Sequence, residues 1–111
     1  MTKTMTLKEI SNRVIQLSMS TCSQTDTKTI DGVTVLRTSG QLDNNRPATV
    51  RVVQRDEMLS VGLLVPGMGD MSISFQLFAD EATEERIERY LNHYLGIHKN
   101  AKAEWDSNHK A

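Results

Sequence analysis

Residues 49–77 constrain the fold more than any other part of the chain, because their side chains alternate between apolar and polar with a period of two. The alternation is clearest at 71–77, where Met, Ile, Phe and Leu are separated by Ser, Ser and Gln. The connections at 55–57 and 66–70 are too short for a parallel crossover. This stretch therefore predicts three consecutive antiparallel strands.

A helix is predicted before this stretch. Thr6 and Glu9 have the spacing of a capping box, in which each side chain accepts a hydrogen bond from the other residue's backbone N–H. Apolar residues then recur at helical spacing up to about residue 18. We therefore expect a first helix of about three turns.

A hairpin turn is predicted between this helix and the strands. Asp31-Gly32 lies between β-forming residues, and both turn positions tolerate positive φ. A short strand at 28–30 would pair with a strand at 33–38. The polar residues before and after these strands, 20–27 and 39–47, are interpreted as loops.

A second helix is predicted after residue 77, where the apolar period changes to about 3.6 residues. Asp80 is the expected N-cap, and the glutamates that follow it place negative charge at the helix start. Gly96 is the expected end of the helix, with residues 98–111 as a polar C-terminal tail that is either loose or a short further helix.

These elements predict an α+β two-layer sandwich in which both helices cover one face of an antiparallel β-meander of four to five strands. The 111 residues form one domain, with its core at about 6–97. The expected core residues are Leu7, Ile10, Val14, Leu17, Val50, Val52, Leu59, Val61, Leu63, Ile73, Phe75, Leu77, Ile87 and Leu91.

Composition bounds the function. A single cysteine, Cys22, allows no intrachain disulfide, and no segment has the order of a signal peptide or the length of a membrane span, so we expect a cytoplasmic protein. The three histidines lack the spacing of a metal motif, and no glycine-rich phosphate loop is present. No catalytic residue, metal or cofactor is therefore predicted.

The sheet face opposite the helices is the predicted binding surface, since an antiparallel sheet commonly leaves one face open. A homodimer is also expected, formed through Val53, Leu64 and their neighbours on this face or through an edge strand. The predicted partner-binding residues are Arg51, Val53, Arg55, Leu64, Ser72, Ser74 and Gln76.

A nucleic-acid-binding protein is the alternative function. Arg37, Arg51 and Arg55 could contact phosphates from the open face. The acidic start of the second helix and the shortage of stacking aromatics argue against this alternative.

The last third of the chain, a strand followed by an acidic helix start and then Ala103-Glu104-Trp105, resembles the end of class I type III secretion chaperones. That resemblance implies a small, cytoplasmic, dimeric protein that wraps an extended effector segment. The middle helix of that family has no counterpart at 66–70, so the chain is not assigned to it. The leading expectation is a non-enzymatic protein-binding module of chaperone, adaptor or inhibitor type that acts as a homodimer.

Overall fold

The structure is a computed structural model that describes residues 3–109. It has two helices and five strands, together with a short 3-10 helix before the second α-helix. In chain order the elements are α1 (Leu7–Ser18), β1 (Thr21–Ile30), β2 (Val33–Gln41), β3 (Pro47–Arg55), β4 (Met58–Leu64), β5 (Ile73–Phe78), the 3-10 helix (Ala79–Glu81) and α2 (Glu84–Asn108).

The strands form one antiparallel sheet in the order β1-β2-β3-β4-β5, so every strand pairs with its neighbour in sequence. Both helices pack on one face of this meander, and the predicted α+β sandwich is confirmed with five strands. A salt bridge between Arg13 of α1 and Glu88 of α2 joins the two helices.

The core lies between the helices and the sheet. Every core residue predicted from the sequence is buried except Leu7 and Leu17, which are half-buried against it. The alternation therefore identifies the correct face of each central strand. The capping box of α1 is also confirmed, because the N–H of Glu9 donates to Oγ1 of Thr6 at 3.1 Å and the N–H of Thr6 donates to Oε1 of Glu9 at 2.9 Å.

The loop predicted at 20–27 is wrong, because residues 21–27 belong to β1. Nine of the ten residues of β1 are exposed, so the strand has no apolar alternation to reveal it. The loop predicted at 39–47 is also too long. β2 continues to Gln41, β3 begins at Pro47, and Leu42 in the remaining loop is fully buried.

The predicted ends of the second helix are wrong. Its N-cap is Thr83 instead of Asp80, which lies in the 3-10 helix. The helix continues through Gly96 to Asn108, so the expected polar tail is helical up to that residue, and residues 110 and 111 lie outside the described residues.

Side-chain contacts with the loop between β2 and β3 explain why α2 continues. Lys102 forms salt bridges with Asp43 and Asp106, and Nδ2 of Asn44 donates to Asp106 at 2.7 Å. These bonds raise the pKa of Lys102 and lower that of Asp106. The last turns of α2 are thus fixed to the rest of the domain.

Candidate partner-binding face

The open face is the sheet face that carries no helix. The strand register places most of the predicted partner-binding residues together on it. Arg51 of β3 aligns through Gly62 with Ser74 of β5, and Val53 aligns through Ser60 with Gln76.

The predicted residues differ in how much surface they offer to a partner. The two arginines, Ser74 and Gln76 are exposed, whereas Val53 and Leu64 are half-buried. Ser72 precedes β5, and its Oγ accepts a hydrogen bond from the N–H of Val65 at 2.8 Å. Its hydroxyl lies within hydrogen-bonding distance of the carbonyl oxygens of Val65 and Met68, so Ser72 stabilises the turn before β5.

Apolar side chains line one end of the open face. The register aligns one residue from each strand there: Ile30, Val33, Arg55, Met58 and Phe78. We call the four apolar residues of this set the apolar row. Its two ends are the most exposed, with 66% of Ile30 and 50% of Phe78 accessible to solvent. These two residues lie on opposite edge strands, with the half-buried Val33 and Met58 and the exposed Arg55 between them. Large apolar side chains that the rest of the chain leaves exposed occur at interaction surfaces.

Sequence reasoning missed the apolar row, since its four members come from four separate strands. Met58 and Phe78 lie at strand ends, and Ile30 was assigned only to a short strand beside a loop. Two facts together could have identified the row: which alternate positions of each strand face the open side, and the order in which the strands pair.

A shallow concavity of about 260 Å³ lies beside the row, over the first three strands. Its lining mixes apolar and charged side chains: Asp26, Lys28, Ile30, Val33, Val35, Arg37 and Arg51. The open face can therefore receive apolar groups and charged groups side by side.

Positive charge dominates the strands of the open face. Arg37 of β2 lies directly opposite Arg51 of β3, and like charges in this relationship are destabilising. Within residues 3–109, neither of these arginines nor Arg55 forms a salt bridge. Asp26 of β1 lies opposite Arg37 and is the acidic residue at the open-face positions of β1, β2 and β3. An anionic partner would relieve the repulsion between the two arginines.

His98 is buried on the other side of the domain. Its Nδ1 lies 2.8 Å from the carbonyl oxygen of Met71, and burial is the main cause of its lowered pKa. Across residues 3–109, no group of three or more histidine, cysteine, aspartate or glutamate side chains is arranged to hold a metal ion.

The chain matches no protein-family model, no curated protein and no solved structure with which it was compared. In the part of the chain that the structure describes, neither helix is long and apolar enough to cross a membrane.

Proposed function

We propose that this protein is a small, non-enzymatic protein-binding module that acts as a homodimer and holds an extended, acidic and apolar segment of another protein on its open face. The observation that carries this proposal is the apolar row, whose end residues Ile30 and Phe78 are each at least half exposed. A soluble domain gains by covering such a row, at roughly 1.5–3 kcal/mol for each large apolar side chain that becomes fully buried.

The charges beside the row support an acidic segment. Lys28, Arg37, Arg51 and Arg55 occupy open-face positions on the first three strands, against one acidic residue, Asp26. An extended segment places every second side chain on one side. On the side that meets the open face, apolar residues could contact the row while carboxylates at other positions of that same side meet the arginines. Chaperones, adaptors and inhibitors all use binding of this kind.

The free thiol of Cys22 is exposed, which fits a reducing compartment. The cytoplasm is therefore the compartment that we propose for this module.

Labelled synthetic peptides test this proposal directly. We expect extended peptides that carry both apolar and acidic residues on the same side, at every second position, to bind, as measured by fluorescence anisotropy, and the lysine-containing equivalents not to bind. Affinity should fall in Arg37→Ala/Arg51→Ala and with rising salt, because the charges on this face are exposed. Arg89→Ala on α2 is the matched control and should bind like the wild type. Equal binding of acidic and basic peptides would contradict the proposed recognition.

Nucleic-acid binding is the second candidate function, and the adjacent Arg37 and Arg51 favour it. Phosphates would satisfy these arginines as well as carboxylates do, and the affinity would fall steeply with salt. The aromatic content of the open face is low, with Phe78 at its edge, which argues against base stacking. Gel shifts with DNA and RNA at low salt decide this question, and we expect no shifted band.

A further inference from the structure

The sheet has two edge strands, β1 and β5, and the longer of them is β1, which pairs with β2 on one side only. The strand is ten residues long, is half threonine and serine, and is exposed at nine of its positions. An exposed strand of this length presents unpaired backbone donors and acceptors to any other strand that fits. Its charged residues are Asp26 and Lys28.

The hairpin turn determines which backbone groups point outward from this edge. Asp31 and Gly32 have φ values of 52° and 78°, as a two-residue type I′ turn requires. Ile30 and Val33, which flank the turn, then form a hydrogen-bonded pair, and the two kinds of pair alternate along the strands. Thr25, Thr27 and Thr29 consequently lie in non-hydrogen-bonded pairs with β2, and their N–H and C=O groups point to the free edge.

Side-chain distances support this assignment. Oγ1 of Thr25 lies 3.1 Å from Oγ1 of Thr38, and Oγ1 of Thr29 lies 3.1 Å from Oγ1 of Thr34. Opposed side chains come closest together in non-hydrogen-bonded pairs. The three threonines of β1 therefore leave their backbone groups free for a further strand.

Charge favours one register for a second copy of β1 at this edge, because that register alone places Asp26 opposite Lys28. If the two-fold axis passes through Thr27, the outward backbone groups of Thr25 and Thr29 meet those of Thr29 and Thr25 of the second copy. Asp26 then lies opposite Lys28 of the second copy, twice in the dimer. If the axis moves to Asp26 or to Lys28, two like charges face each other, which is unfavourable.

We propose that two copies of this chain pair antiparallel along β1, with the two-fold axis at Thr27, to form one ten-stranded sheet. This inference rests on the homodimer of the proposed function and specifies its interface. Three pairs of threonines would exchange about six backbone hydrogen bonds across the axis. The two open faces become continuous, and the concavities lined by Asp26, Lys28 and Ile30 lie on either side of the axis.

Charge reversal tests the pairing. Asp26→Lys and Lys28→Asp each place like charges opposite one another, so each variant should raise the dimer dissociation constant by about tenfold or more. The double variant Asp26→Lys/Lys28→Asp restores opposite charges in the same register and should recover the dimer. An equimolar mixture of the two single variants should form a heterodimer. Sedimentation velocity measures all four samples, and circular dichroism checks that each is folded.

A cysteine cross-link tests the register independently. In a Cys22→Ser background, Thr27→Cys places two thiols on the axis with Cα atoms about 5.5 Å apart, within the range of a disulfide. Thr25→Cys is the matched control, since its thiol would lie about 13 Å from its copy. Under oxidation we expect a covalent dimer from Thr27→Cys and a monomer from Thr25→Cys on a non-reducing gel.

The outcomes separate this inference from the proposed function. A wild-type chain that is monomeric at tens of micromolar contradicts both the homodimer and the β1 pairing. A dimer that withstands both single charge reversals and gives no Thr27→Cys cross-link contradicts the β1 pairing alone. A cross-link formed through Thr25→Cys but not through Thr27→Cys contradicts the register.

Discussion

The Nδ1 atom of His98 lies 2.8 Å from the carbonyl oxygen of Met71, and only 1% of His98 is exposed. A carbonyl oxygen only accepts hydrogen bonds, so Nδ1 carries the hydrogen in this contact. The bond connects the middle of α2 to the turn before β5. The ring is buried, and burial makes its charged form unfavourable.

Stability should therefore fall as the pH drops below 6.5, the ordinary pKa of histidine. Burial, together with the nearby charges of Lys102 and Lys99, lowers the pKa of His98 in the folded state. The unfolded chain then binds a proton in a pH range where the folded chain does not, so stability rises with pH through that range. The measurement is the difference in free energy of unfolding between wild type and His98→Gln as a function of pH. Parallel curves for the two proteins would contradict this assignment.

The second prediction concerns the faces of β5. The ring of Phe75 is buried and stacks against Tyr90 and Tyr94, with centroid distances of 5.1 Å in each pair. Phe75→Ala should lower the free energy of unfolding by about 3–5 kcal/mol. Ser74→Ala, on the open face, should change it little. Equally small losses for both variants in a denaturant titration would mean that the register of β5 is wrong.

Gly96 gives a third prediction, because its sequence context and its structural position disagree. The sequence predicts a helix end there, whereas the residue lies inside α2 without a positive φ, and a Cβ at this position would contact nothing within 4 Å. Gly96→Ala should stabilise the protein by about 0.5–1 kcal/mol. A lower melting temperature for the alanine variant would indicate that the helix ends at Gly96.

The difference between predicted and observed elements follows from where each apolar residue lies. The strands β3 to β5 have one buried face each, so their alternation predicts that they are strands and which face is buried, while the short connections predict that they are antiparallel. By contrast, β1 lies at the edge of the sheet with both faces exposed, so its polar, threonine-rich sequence resembles that of a loop. His98 was assigned to a polar tail, since a single buried histidine gives no periodic signal. The binding face was predicted in outline. The apolar row is brought together by the pairing of strands, and a local sequence pattern does not predict that pairing.

Leu64→Glu distinguishes two possible dimer surfaces. Leu64 lies on β4, three strands and about 14 Å from the free edge at β1. Pairing along β1 leaves this side chain outside the interface, so light scattering should give the same dimer mass for the variant as for the wild type. A folded monomer would instead place the interface on the open face around Leu64 and Val53.

Affinity capture from the source cell, followed by mass spectrometry, tests the central claim most directly. The bait proteins are the wild type, Ile30→Glu/Phe78→Glu and Ile97→Glu. Ile97 is 46% exposed on α2 and is therefore a matched control for an exposed apolar side chain away from the row. We predict that the wild type and Ile97→Glu retain the same partner and that the double variant loses it. Equal recovery of that partner with all three baits would contradict binding at the apolar row.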